Sequence, residues 1–119
     1  MSEDKVPVHN ICDDISSIKP NIGSKVEYAR GNASGSVHNV RRSLDNAAQL
    51  SRIGIHDSII GREIVKASFK NAFNSNIGLI MNSAGSTKVY TLIVGPGGFL
   101  GMESVWTGSK LVTFIFFGG

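Results

Sequence analysis

The spacing of apolar residues changes period near residue 77, and that change divides the chain. From Ser36 onward Val37, Val40, Leu44, Ala47 and Ala48 recur at steps of three and four, with Arg41, Arg42 and Asp45 on the other side. That is the signature of one face of an α-helix. Ser36 offers an N-cap hydroxyl, and Gly54, just past Ile53, a C-terminal stop. A second helix is predicted after His56, where Asp57 or Ser58 can cap it and Glu63 lies early, near the positive end of the helix dipole. Ile60, Ile64, Ala67 and Asn71 make one stripe of this helix, and Arg62, Lys66 and Lys70 form a basic ridge along another. Asn74 to Asn76 ends it.

Beyond this point four segments, Ile77–Met81, Lys88–Val94, Phe99–Thr107 and Lys110–Phe117, are rich in β-branched and aromatic residues. Gly, Pro, Ser and Asn clusters separate them, and Gly108–Ser109 is short enough for a two-residue hairpin. Gly95–Pro96–Gly97–Gly98 reads as a hairpin turn too, because a phosphate loop needs a helix start after the glycines and Phe99, Leu100 and Met102 follow instead. The expected fold is α+β, with N-terminal helices packed on one face of a four-stranded or slightly larger antiparallel C-terminal sheet. Strict alternation puts Val112, Phe114 and Phe116 on the covered face, under the helix carrying Ile60 and Ile64, and Leu111, Thr113 and Ile115 on the other.

Residues 1–35 hold no sustained period and contain Pro7, Pro20, Gly23, Gly31 and Gly35. They read as an irregular arm or linker remnant, with a short helix around residues 13–19, leaving 36–119 as the functional domain. A chain of 119 residues has room for one core, and a hydrophobic content of 41% is enough to fill it. The longest apolar run, Leu111 to Phe117, is far shorter than the roughly 20 residues of a membrane span. The acidic, polar start (Ser2, Glu3, Asp4) is unlike a signal peptide. The single Cys12 excludes an intrachain disulfide and a cysteine-based zinc site, and its neighbours Asp13 and Asp14 disfavour a thiolate. His9, His38 and His56 lack metal-ligand spacing, so neither metal nor cofactor is expected.

Charge sharpens the picture. Residues 36–76 hold six basic and three acidic side chains, which accounts for the whole net charge of +3. Cations gathered on two helices can neutralise phosphates and steer a polyanion; a solvated helix face is the plainer alternative. Cleaving RNA without a metal needs a group to take the ribose 2′-OH proton, a group to protonate the leaving 5′-oxygen, and cations on the phosphate. Histidine suits proton transfer near neutrality. His38 lies one turn before Arg41 and Arg42, and His56 sits beside the amides that open the second helix, where a phosphate can dock. Thr113 is the one hydroxyl inside the apolar final strand, and it is expected to share a site with His56. Ser104 and Trp106 share a sheet face, where a hydroxyl and an indole could hold a phosphate and stack a base. Arg41, Arg42, Lys66, Lys70 and Lys110 are the candidate RNA-backbone contacts.

Helices leading into a C-terminal antiparallel sheet that ends the chain resemble the nuclease toxins of the barnase/EndoU/colicin/RelE superfamily. The stretch from Gly95 through Gly-Phe-Leu-Gly-Met-Glu-Ser-Val-Trp-Thr to Thr113 looks like the C-termini of CdiA contact-dependent inhibition toxins and related polymorphic toxins. Ser104–Val105–Trp106 is similar to the Ser-x-Trp of colicin D-type tRNases, which implies catalytic roles for Ser104 and Trp106. The chain has no counterpart of the Lys-x-Lys-His of colicin D, so His38 and His56 both stay candidates. The resemblance spans residues 36–119. It implies a metal-independent ribonuclease domain, acting on tRNA and leaving a 2′,3′-cyclic phosphate. Such a domain would be secreted within a larger cell-surface toxin and delivered to the target cell's cytoplasm, with a cognate immunity protein and a host activating protein as expected partners. A non-catalytic RNA-binding or protein-interaction module on the same fold is the alternative. An immunity protein is disfavoured by the basic charge.

Overall fold

The computed structural model describes residues 18–118. Both predicted helix starts are made by the serines. Ser36 Oγ accepts from Asn39 N–H at 3.1 Å to open α2 (Val37–Arg52), and Ser58 Oγ accepts from Gly61 N–H at 3.0 Å to open α3 (Ile59–Asn74). They follow a five-residue helix, α1 (Lys25–Ala29). α2 stops at Gly54, whose φ of +82° lets its N–H reach Ser51 O (3.1 Å) while Ile55 N–H reaches Leu50 O (2.9 Å).

Ile77–Met81 is a short helix, α4, and not the expected first strand. Five apolar residues in a row carry no period of their own, and one helical turn suffices to bury Ile80, the residue of this segment that reaches the core. The sheet therefore has three strands, β1 (Ser86–Gly95), β2 (Gly98–Thr107) and β3 (Lys110–Phe117), antiparallel in the order β1-β2-β3. Both glycine-rich links are two-residue hairpin turns, with Gly95 paired to Gly98 and Thr107 to Lys110. No helix interrupts residues 88–117.

One side of the sheet packs on the helices. Phe114 and Phe116 are buried, and Phe114 packs at 4.9 Å, with tilted rings, on Phe69 of α3 and edge-on at 5.9 Å to Tyr28 of α1. The face of α3 that covers them is rotated from the expected stripe. Val65, Phe69, Ala72 and Phe73 are buried, whereas Ile60 is 73% exposed and Ala67 faces solvent. Phe69 and Phe73 are the largest apolar side chains on the helix, and burying them decides its rotation.

α2 departs further. Its predicted apolar stripe faces outward, with Val37 at 77% and Leu44 at 55% exposure, and its buried residues are Ser43, Asn46 and Leu50. The reason is what lies beneath it. α2 covers backbone and not only side chains: Ser43 Oγ donates to Tyr28 O (2.6 Å) and accepts from Ala33 N–H (3.3 Å), and Gln49 Nε2 donates to Phe116 O (3.1 Å). Main-chain groups under a helix must be bonded, so polar residues take the inner positions.

Described residues before Ser36 also reach the core. Val26 and Ala29 of α1 are buried in the core. Asn21 pairs in parallel with the start of β3, through Asn21 N–H to Ser109 O (2.7 Å) and Leu111 N–H to Asn21 O (2.9 Å). An ion-pair network then holds α1 to its neighbours: Arg30 bonds Glu27 and Asp57, and Arg62 of α3 meets Glu27 at 3.3 Å. The remainder of the expected arm, including the helix around 13–19 and Cys12, lies outside the described residues apart from Ile18 and Lys19.

Candidate functional site: a basic cleft at the edge of the sheet

β3 does not alternate evenly. The register slips at Val105/Trp106: Val105 pairs with Thr113 while Trp106 pairs with Leu111, which leaves Val112 as the extra residue of a β-bulge. Leu111 is thereby buried together with Phe114 and Phe116, and Val112 is exposed. Strict alternation had placed Leu111 outward and Val112 inward; the inserted residue exchanges the two. Thr113 stays on the solvent side, as expected.

The bulge coincides with the point where the segment through Asn21 leaves β3 to form α1. A cleft of about 210 Å³ opens there, lined by Lys25 and Tyr28 of α1, Asn39 and Arg42 of α2, and Val112 and Thr113 of β3. Asn39 and Arg42 share one side of α2 because they are three residues apart. Among the described residues neither Lys25 nor Arg42 forms an ion pair. The cleft thus offers two positive groups, a hydroxyl, an amide and a phenol, which is the donor set for a phosphate or another oxyanion.

Of the predicted site residues, Thr113 and Arg42 meet in this cleft. His38 lies on the same helix, four residues before Arg42 and therefore beside it on the surface, and it is exposed. His56 is elsewhere. It lines a separate pocket of about 80 Å³ with Arg30, Ser51 and Asp57, past the other end of α2. Arg42 and Ser51 are nine residues apart on that helix, about 14 Å along its axis. His56 and Thr113 do not share a cleft.

Ser104 and Trp106 share a face as expected, and that face is the core. Both are fully buried, Trp106 Nε1–H donates to Ser104 Oγ at 3.0 Å, and the indole packs on Phe73 at 5.2 Å. A buried indole needs a partner for its N–H, and Ser104 supplies it. Neither side chain is open to a substrate in this arrangement.

Arg41 faces the exposed groove of Val37, Val40 and Leu44, one step round the helix from the cleft. Lys110 is exposed at the start of β3, three residues from Thr113, and Lys70 is exposed on α3. Lys66, half-buried, lies on the same helix as Arg62, which is committed to Glu27. Lys25, Tyr28 and Asn39 were not singled out from the sequence. Lys25 and Tyr28 fell in the segment read as an arm, and the helical spacing of Asn39 and Arg42 was the one available signal for the third. Among the described residues no group of three or more His, Cys, Asp or Glu side chains is placed to hold a metal ion, and no helix is long and apolar enough to cross a membrane.

No protein-family model and no curated protein matches the chain. The fold is nevertheless known. It is similar to a chain of a contact-dependent growth inhibition toxin–immunity protein complex from Klebsiella pneumoniae 342, with a TM-score of 0.61 and 22% identity over 80% of this chain and 96% of that one.

Proposed function

We propose that this chain is the toxic domain of a contact-dependent growth inhibition system and that it cleaves RNA, tRNA foremost, by metal-independent transesterification at the α1–α2–β3 cleft. The observation that carries the reading is the cleft itself, where Lys25 and Arg42 stand beside the Thr113 hydroxyl with no ion-pair partner among the described residues. Two fixed cations can neutralise the scissile phosphate and the charge that grows on it in the transition state, the part a metal plays in other nucleases. The Thr113 hydroxyl donates to a non-bridging oxygen, and Asn39 adds a second neutral donor. His38, beside Arg42 on α2, serves the proton transfer, since His56 lines a different pocket. The basic groups of α2 and α3, with Lys110, extend the contact along the RNA backbone.

The likeness to the Klebsiella toxin–immunity complex supports the toxin class and, with it, an immunity protein as partner. Delivery within a larger surface protein into a neighbouring cell belongs to the same reading.

Inducing the chain in bacteria and resolving total RNA on a denaturing gel tests it. Discrete tRNA fragments with the native chain, and intact RNA with Arg42→Ala, are the expected result. Intact RNA in both, with RNA retained by the purified protein, would favour the non-catalytic RNA-binding module.

A further inference from the structure

The helices cover one face of the three-stranded sheet, and among the described residues no element covers the other, open face. The open face is divided in two. Toward the Pro96–Gly97 turn it is apolar, with Leu92, Val94, Phe99 and Phe117 exposed. Toward the Gly108–Ser109 turn it carries Lys88, Tyr90, Glu103 and Thr113, brought together by the register: Glu103 lies between Tyr90 on β1 and the exposed Ile115 on β3, and Lys88 is opposite Val105, which in turn faces Thr113. Side chains directly across a strand pair lie about 5 Å apart and diagonal neighbours about 7–8 Å. Lys88, Tyr90 and Thr113 therefore all stand within about 8 Å of Glu103.

Two features separate this cluster from an ordinary polar patch. First, Glu103 is the one carboxylate of the three strands, and among the described residues neither it nor Lys88 forms an ion pair, with each other or elsewhere. A carboxylate kept for surface pairing would be closed onto the lysine beside it. Second, the bulge at Val112 gives Thr113 a place both on this face and in the cleft of Lys25 and Arg42. Thr113 is thus common to the two surfaces, and Glu103 stands diagonally across the β2–β3 pair from it.

The geometry points to Glu103 as a catalytic residue of this cleft, the general base of the ribonuclease, with Lys88 on the phosphate and Tyr90 as the surface on which a base stacks. This rests on the nuclease reading above and supplies the proton acceptor that the cleft lacks. Glu103 takes the proton of the ribose 2′-OH as the 2′-oxygen bonds to phosphorus. The bond from phosphorus to the 5′-oxygen breaks, and that oxygen receives a proton from the acid group, protonated His38. The products are a 2′,3′-cyclic phosphate and a 5′-hydroxyl, so atoms and electrons balance without a co-reactant. Tyr90 is well exposed, and its ring offers the flat apolar face that unpaired bases stack on. A carboxylate weakens RNA binding wherever it stands on such a surface, so its presence beside three phosphate- and base-directed groups is accounted for by proton transfer.

The purified chain, total tRNA and EDTA are sufficient to test this. Glu103→Gln keeps size and polarity and removes the base. It should lower kcat by about 10²–10⁴-fold, leave KM for tRNA equal or lower, and flatten the acidic limb of the pH–rate profile, while Glu103→Asp recovers part of the rate. Retention of tRNA on a filter should be equal or stronger and the Trp106 fluorescence unchanged, which establishes that the variant is folded. Native kcat in Glu103→Gln, or a loss expressed wholly as a higher KM, overturns the assignment and leaves the nuclease reading standing. A native chain that cuts no RNA removes both.

Discussion

Thr113 and Trp106 show what a single residue's surroundings decide. Each was marked by its chemistry: a hydroxyl in an apolar strand, the one indole of the chain. Thr113 reaches a cleft lined by two cations; Trp106 is sealed in the core and bonded to Ser104. Residue type named both, but depth is set by which face the helices cover, and strand alternation alone does not say which. The Ser104–Trp106 pair has a testable structural role. Ser104→Ala leaves the indole N–H buried without an acceptor, which should cost about 1–3 kcal/mol. Chemical denaturation followed by Trp106 fluorescence would measure this, and RNA cleavage per folded molecule should not change. A loss of activity without a loss of stability would return Ser104 to the site.

At the scale of elements, what was legible from the sequence is what hydrogen bonds and turns impose locally. Ser36, Ser58 and Gly54 bound the long helices where capping chemistry puts them, and both hairpins fall on their glycine links. The rotation of α2 was not legible, because its partner is the backbone of α1's exit and of β3, and an apolar-stripe argument assumes a partner made of side chains. The bulge was not legible either, since one inserted residue leaves no trace in an apolar run such as Lys110–Phe117. It can be tested directly. Deleting Val112 would restore even alternation and carry Lys110 and Asn21's bonding partner Leu111 out of register, so the protein should lose its cooperative thermal transition. Val112→Ala, at an exposed position, should stay within about 0.5 kcal/mol of the native stability. Equal stability of the deletion and the native chain would contradict the register described here.

The whole molecule couples its first described residues to its last. The segment from Asn21 to Arg30 edges β3, fills the core with Val26 and Ala29, and brings Lys25 and Tyr28 to the cleft. Reading it as an arm followed from its prolines and glycines, yet a five-residue helix is too short to show a period and is held by tertiary contacts alone. A protein beginning at Ser36 should therefore fail to fold, with no cooperative transition in circular dichroism; a native-like melt would establish Ser36 as the domain boundary. The charge distribution was the better guide at this scale, because the basic middle of the chain does form one wall of the cleft through Arg42. The measurement that bears most directly on the account is the cleavage of purified tRNA by the purified chain in excess EDTA, with the new ends analysed chemically. The native chain should leave 2′,3′-cyclic phosphate and 5′-hydroxyl ends, and the Arg42→Ala/Thr113→Ala double variant, still folded, should cut at a rate at least about 100-fold lower. Intact tRNA, cleavage that appears only when magnesium or zinc is added, or an unaffected double variant would contradict it.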